Sequence, residues 1–515
     1  MTLNLWLLTM LPPLLAGLGL SLLLEQTLTP RPKAIWLRPF ATGFIHIGIY
    51  LLLFGGELLL FRRPWFAMAN VMALQLLVVL VSNAKYAVLR EAFVFQDFEY
   101  FTDAIKHPRL YLPFLGIWKT LLATTAFVSA LLAGLILESS LLVQFTVSQY
   151  GYALATIILA GGGLLWLGAK QTLPVSFDTD SDLPHLGLFS SLWCYAAAEA
   201  KPCHPLSPYD HFSVAADRAG PVSNLVVVQS ESFFDVRDFY TGIAPDVLQA
   251  YDRIKASARQ YGKLQTPAWG ANTVRTEFGF LSGMTAAQLG VHRFNPYRKL
   301  ARQSVGNLAG FLKKSGYRTI CVHPYPAGFY NRDIVFPLLG FDEFIDIKSF
   351  TDADKAGPFV GDIALAEKVC SLLQLHASQP VFIFVISMEN HGPLHLEKVQ
   401  PEDSRFYTTQ PPATCEDLTI YLRHLHNADH MAGRLREQLA ELPGDNWLCW
   451  YGDHVPIMAD VYKTLGLPDG HTDYLLWRSG SGGEAVECLD LSVERLGVDL
   501  LGRMGLVACH YNTGV

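Results

Sequence analysis

The stretch NLVVVQSESFFD, residues 224–235, decides the fold. Four apolar residues run unbroken from Leu225 to Val228, and then Gln229, Ser230 and Glu231 are released together. A run so short and so uniformly apolar reads as a strand covered on both faces, as in a parallel sheet, because a half-exposed strand would alternate. YRTICVHPY (317–325), PVFIFVISMEN (380–390) and NWLCWYGDH (446–454) repeat the pattern. Between the runs, helical spacing recurs at 247–262, 307–317, 363–377 and 421–442. Strands alternating with helices predict an α/β domain with a central, mostly parallel sheet, and ligands in such sheets bind beyond the carboxyl ends of the strands.

Those strand ends carry chemistry. Glu231 stands just past the first run, Glu389, His391 and His395 past the third, and Asp453 with His454 past the fourth. Two carboxylates and an imidazole pushed out of hydrophobic runs form a donor set for a hard-to-borderline divalent cation. Leaving such acids buried and uncompensated is costly, which is why their joint occurrence means more than the Asp-His dipeptide.

The first third of the chain is different. Overall, 51% of residues are hydrophobic and 17% charged, and the excess of apolar residues lies before about residue 170. A bilayer core takes about 20 apolar residues per helix. Five segments qualify, at roughly 3–24, 42–61, 67–84, 113–137 and 148–169, which predicts a multi-span helical membrane domain over 1–170. Residues 171–220 read as a linker marked by Pro174, Pro184, Pro202, Pro205 and Pro208, ahead of a catalytic domain over 221–515. The segment 83–101, NAKYAVLREAFVFQDFEYF, mixes charged and aromatic residues and suits the membrane interface. His46 and Glu57 fall inside the second span, and Glu57 is placed to snorkel toward Arg62 and Arg63. Five spans put the two ends of this domain on opposite sides. With the N-terminus inside, the outer loops carry Arg31, Lys33, Arg38, Lys85, Arg90, Lys106 and Arg109 against Arg62 and Arg63 within, so the positive-inside tendency opposes an exported C-terminal half. A net charge of −7 and the lack of a basic tract exclude nucleic acid as a main partner. Eight cysteines are too few for a disulfide scaffold; Cys321 and Cys449 sit in strand-like runs, while Cys194 and Cys203 are near enough in sequence either to pair in an oxidising compartment or to stand as two free thiols.

One further junction is the stretch WGANTVRTEFGFLSGM, residues 269–284, where a glycine turn gives way to Thr273 and an apolar helical run. A threonine there commonly caps a helix. The surrounding anchors point elsewhere. QSESF with Glu231, T-x-x-x-E-F from Thr273 to Phe278, NRDIVFPLLGFDEF with Arg332, the Asn-His of ENHGP and the Gly-Asp-His of YGDHVP occur in one order. In that order they resemble the lipoteichoic acid synthase and phosphoglycerol transferase family of the alkaline phosphatase–sulfatase superfamily. The similarity covers essentially the whole chain, including the segment between spans three and four.

The resemblance implies a membrane domain followed by an exported sulfatase-like domain. It implies Glu231, Thr273, Asp453 and His454 as ligands of a divalent ion (Mn2+ first, Mg2+ or Zn2+ also compatible), Thr273 as the nucleophile, and Arg332 and His391 as contacts to the substrate phosphate or headgroup. The physical roles agree: a threonine hydroxyl needs activation, and arginine offers phosphate a planar charged fork. The implied reaction moves phosphoglycerol from phosphatidylglycerol to a glycan or polyglycerophosphate acceptor through a phospho-threonine, at the cytoplasmic (inner) membrane with the catalytic domain on the periplasmic or extracellular side. A phosphoethanolamine transferase acting on lipid A or a glycan shares this logic and the HGP of ENHGP, and a silent regulator sharing the fold is the alternative from another class. Sulfatase activity itself is discounted: CHPLS at Cys203 has Ser207 where the C/S-x-P-x-R pattern needs arginine. Glu277 reads as holding the helix start, Arg332 has Asp333 and Asp342 as nearby partners, and His426 with His430, four apart on a helix, has a spacing that can bind metal but reads as a solvated face, since no glutamate follows His426 as a zincin needs.

Overall fold

The computed structural model describes residues 2–99, 134–213, 223–303, 305–480 and 485–507, with scattered positions between 121 and 133. The chain divides into two compact units, Met1–Pro202 and Cys203–Val515.

In the first unit, four apolar helices among the described residues are long enough to cross a bilayer: α1 (Thr2–Glu25), α2 (Phe40–Phe61), α3 (Pro64–Leu89) and α4 (Val147–Ala169). At 1.5 Å per residue the shortest reaches about 33 Å, enough for a hydrocarbon core of ~30 Å. The span expected at 113–137 falls mostly outside the described residues. Glycines let α2 and α4 meet backbone to backbone. A Cβ at Gly48 would lie 2.8 Å from the Gly161 carbonyl oxygen, and one at Gly168 would lie 2.8 Å from that of Ala41. Small residues at contacts are how membrane helices gain close packing where no hydrophobic drive exists between them. Glu57 accepts a hydrogen bond from Asn70 at 3.0 Å, so a neighbouring helix satisfies it where snorkelling was expected. His46 lies beside Ser21 (Nε2 to Oγ 3.0 Å) and beside Glu25, which Arg38 pairs at 2.7 Å. Within the segment 83–101, Lys85 pairs with both Glu91 and Asp97 at 2.6 Å.

Part of the stretch read as a linker is helical, over Thr179–Leu186 and Leu188–Ala200. Asp178 caps the first of these, and Asp182 gathers the Ser176 and Phe177 backbone N–H groups and the Tyr195 hydroxyl. Local side-chain capping of this kind leaves no apolar period to read. Cys194 and Cys203 are free thiols.

The second unit is built on a nine-stranded sheet. In chain order its strands are β1 (Leu225–Ser230), β2 (Gln260–Gln265), β3 (Arg318–Val322), β4 (Glu343–Ile345), β5 (Val381–Ile386), β6 (Trp447–Gly452), β7 (Thr472–Arg478), β8 (Glu487–Cys488) and β9 (Leu491–Ser492). The spatial order is β8-β2-β7-β6-β1-β5-β3-β4, with β9 also on β2. From β6 to β4 all neighbours are parallel, and β7 runs against both of its neighbours. β1, β5 and β6 are buried along their whole length, so their apolar runs do not alternate with polar residues. Val226, Val228, Ile383 and Trp450 enter one core, and Leu225, Val227, Phe384 and Cys449 the other. Helices α5 (Thr273–Ser282) and α6 (Arg332–Leu339) supply Val274, Phe278 and Phe336 to the second of these cores. Helices α7 (Asp362–Leu375) and α8 (Glu416–Glu441) fill the first with Leu365, Val369, Leu425 and Leu435. The helix expected over 247–262 stops at Ala256, because Gln260–Gln265 is taken into the sheet by pairing with β7.

Candidate active site

At the carboxyl end of β1 the chain turns sharply. Ser232 sits in the left-handed region at φ 53°, which few residues other than glycine adopt without strain. The turn aims the Ser232 backbone N–H at Asp453 Oδ1, 2.8 Å away. It also carries the chain across the exit of β6, where a Cβ on Gly452 would fall 1.8 Å from the Phe233 carbonyl oxygen. Only glycine fits there. The Gly of Gly-Asp-His thus lets two strand ends close on one another.

The result is a buried cluster in which Glu231, Asp453 and His454 each bring a ligand atom within 4.8 Å of the others. His454 Nε2 lies 3.6 Å from Glu231 and 3.3 Å from Asp453. Its Nδ1 is 3.1 Å from the Val455 carbonyl oxygen, which can only accept, so Nδ1 carries the proton and Nε2 turns a lone pair toward the two acids. Ser232 Oγ donates to Glu231 at 3.0 Å, while Asp453 Oδ2 is buried with no hydrogen-bond partner among the described residues. Burial, and then the charge of Asp453, push the Glu231 carboxyl up to about 8. Two acids and an imidazole lone pair facing one another, one oxygen unpartnered, are a donor set that suits a divalent cation.

Thr273 is half-buried and opens α5 as its first helical residue; Asn272, left-handed at φ 67°, occupies the cap position with no side-chain hydrogen bond. Two contacts bracket Thr273. Gly270 N donates to the Val455 carbonyl at 3.1 Å, and the Thr276 hydroxyl donates to the Asp453 carbonyl at 2.8 Å. The start of α5 is therefore pinned along the segment that carries Asp453 and His454, with the positive end of the helix beside it. The Thr276 hydroxyl is committed to the backbone.

His391 follows β5, and its Nδ1 is 2.6 Å from the Gly392 carbonyl oxygen, which leaves Nε2 as an acceptor. Burial lowers its pKa, so the ring is neutral, and Asp453 acts on it electrostatically. Arg332 is almost fully buried. It does not pair with Asp333 or Asp342; Asp342 is taken by Lys313 at 2.8 Å. Its Nε and Nη2 fork Glu277 at 3.2 and 2.9 Å, and Nη1 donates to His323 Nε2 at 3.2 Å. Glu277, expected to hold the helix start, is instead the counter-ion of Arg332 and also accepts from the Tyr297 hydroxyl. Among the described residues, three of the five guanidinium N–H groups are engaged. Burial opposes the Arg332 charge, but Glu277 outweighs it, and its field reaches Glu231.

The sequence reading missed His323. It follows β3 directly, so the strand-end rule applied to the other three runs singles it out as well. Its Nδ1 meets the Ile386 carbonyl at 3.1 Å, and burial, then Arg332, hold its pKa well below the usual imidazole range. Glu389 is structural: Asn427 and the Asp362 backbone N–H both donate to it at 2.6 Å. His395 is exposed.

The Sulfatase family model matches residues 223–503, from the start of β1 to the last helix. A capsular polysaccharide biosynthesis protein of Rhizobium meliloti (strain 1021), RkpI, is 29% identical over 455 residues, 84% of this chain and 80% of its own. Among solved structures, the integral membrane lipooligosaccharide phosphoethanolamine transferase EptA of Neisseria meningitidis superposes with a TM-score of 0.57 at 14% identity, covering 96% of this chain and 95% of its own. The Streptococcus pyogenes phosphoglycerol transferase GacH, in complex with sn-glycerol-1-phosphate, covers 54% of this chain and 74% of its own at 22% identity and a TM-score of 0.43. With apolar membrane-length helices ahead of a mostly parallel sheet that gathers an acid–imidazole cluster at its strand ends, this chain belongs to the sulfatase family of the alkaline phosphatase superfamily.

Proposed function

We propose that this protein is a membrane-bound phosphotransferase that moves the phosphoglycerol headgroup of phosphatidylglycerol to a hydroxyl of an envelope glycan or glycerophosphate chain, by way of a phospho-threonine at Thr273. The observation that carries the reading is the placement of Thr273. It is the first residue of a helix whose start is pinned to the Asp453–Val455 segment, beside a buried acid pair and an imidazole lone pair.

Glu231, Asp453 and His454, with the Thr273 hydroxyl, would hold a divalent ion, for which Mn2+, Mg2+ and Zn2+ all suit the donors. Such an ion lowers the pKa of a hydroxyl and offsets charge on phosphoryl oxygens. The remaining roles belong to the chain. Thr273 Oγ attacks phosphorus, its bond to phosphorus forming as the bond to the diacylglycerol oxygen breaks, and the hydroxyl proton passes through Nε2 of His391 to the departing diacylglycerol oxygen. The first-turn N–H groups of α5 and the Arg332 guanidinium face the phosphoryl oxygens. In the second step the acceptor hydroxyl displaces Thr273, and neutral His391 takes the acceptor's proton at Nε2 and returns it to the departing Thr273 Oγ. Membrane helices in the same chain keep the enzyme on the surface where its donor lipid resides. A catalytic unit on the outer side of the cytoplasmic membrane suits an envelope acceptor, and the capsular polysaccharide assignment of the 29% relative supports a glycan in that role.

The test uses full-length protein in vesicles carrying headgroup-labelled phosphatidylglycerol or phosphatidylethanolamine, with mass spectrometry of released diacylglycerol and modified glycan. Diacylglycerol from the first lipid alone is the expected result. Release from phosphatidylethanolamine alone replaces the donor assignment, and full activity in Thr273→Ala ends the nucleophile assignment.

A further inference from the structure

Outside the strand-end cluster, one pair of metal-ligating side chains has no part in the reaction above. His426 and His430 stand one turn apart on α8, and their Nε2 atoms face each other at 3.2 Å, with ring centroids 4.5 Å apart. Two imidazole nitrogens bound side by side to one cation at ~2.0–2.1 Å are roughly 2.9–3.4 Å apart. The observed spacing is that of a chelating pair.

The surroundings favour the same role. Nδ1 of His426 is buried, so Nε2, which faces His430, is the nitrogen offered outward. His430 is exposed and His426 half-buried, which opens the pair to ions from solvent. The acids Asp246 and Asp429 act on these rings and Arg405 opposes them. Both imidazoles project from a 26-residue helix packed into the core, so little order is lost when an ion binds.

We propose that His426 and His430 form a second metal site, open to solvent, that takes Cu2+, Ni2+ or Zn2+, with water in the remaining positions. Two neutral nitrogen donors without a carboxylate follow the Irving–Williams order and hold Mn2+ or Mg2+ poorly. The strand-end cluster, with two carboxylates, accepts those harder ions. The two sites therefore differ in preference, and this inference does not rest on the reaction proposed above.

The experiment titrates chelator-stripped, full-length protein in detergent with Cu2+, followed by electron paramagnetic resonance, and with Mn2+ in parallel. Wild type is expected to show a copper equivalent coupled to two nitrogens, in addition to one Mn2+ equivalent. His430→Asn and His426→Gln should each lose that copper equivalent while keeping Mn2+ uptake and transfer activity. Asp453→Asn should lose Mn2+ and keep the two-nitrogen copper signal. An unchanged copper spectrum and stoichiometry in His430→Asn, or a wild-type signal from a single nitrogen, would overturn the proposal and leave the pair as a plain N–H···N hydrogen bond.

Discussion

Replacing Glu277 by glutamine tests how the site is held. The carboxylate and the Arg332 guanidinium are both buried, with side-chain exposures of 0% and 2%, and they meet at 2.9 Å. At that separation two unit charges attract by about 6 kcal/mol at an effective dielectric of ~20. Glutamine keeps the shape but removes the counter-ion, and stranding one partner of a buried pair costs about 3–5 kcal/mol. For a unit of this size that is a fall in melting temperature on the order of 10 °C. The assay is thermal unfolding of Glu277→Gln, Arg332→Met and the double variant in detergent. Because the double variant buries no lone charge, it should recover much of the loss, with a coupling of about 1–3 kcal/mol. A fall under ~1 kcal/mol in Glu277→Gln, or a double variant that merely sums the two single losses, would refute the reasoning. The pair would then be solvated in the working protein.

Two further predictions follow from the geometry. Gly452→Ala sets a methyl 1.8 Å from the Phe233 carbonyl oxygen, so the β1 turn must move and take Glu231 with it; divalent-ion affinity should fall at least tenfold by isothermal titration, and unchanged binding would show that the turn is compliant. The Glu231 carboxyl has a folded pKa raised above its unfolded value. The fold therefore holds an extra proton between about 4.5 and about 8, and the metal-free protein loses stability as pH rises through that window. A bound divalent ion reverses the sign, since it needs the ionised carboxylate. Melting curves from pH 5 to 8 with chelator and with Mn2+ should diverge in wild type and much less in Glu231→Gln; parallel curves in wild type would contradict the linkage.

Much of the architecture was legible because it rests on short-range physics. Unbroken apolar runs such as Leu225–Val228 can be satisfied only by burial on both faces, and segments of 20 or more apolar residues only by a bilayer or a large core. The residues expelled at the ends of those runs were legible for the same reason. This is how Glu231, His391, Asp453 and His454 were found, and how His323 should have been.

The partnerships were not legible. Glu277 and Arg332 are 55 residues apart, and Ser232 and Asp453 are 221 apart. What brings them together is a sheet order that places β6 next to β1 and β1 next to β5, out of chain sequence. No local pattern encodes that order, because it follows from how whole strands and helices share two cores. The left-handed backbone at Ser232 and Asn272 and the close crossing at Gly452 exist only once those strands are neighbours. Sequence alone determined which polar residues the apolar runs expel at their ends. Tertiary structure decided which of them face one another, because facing depends on packing across hundreds of residues.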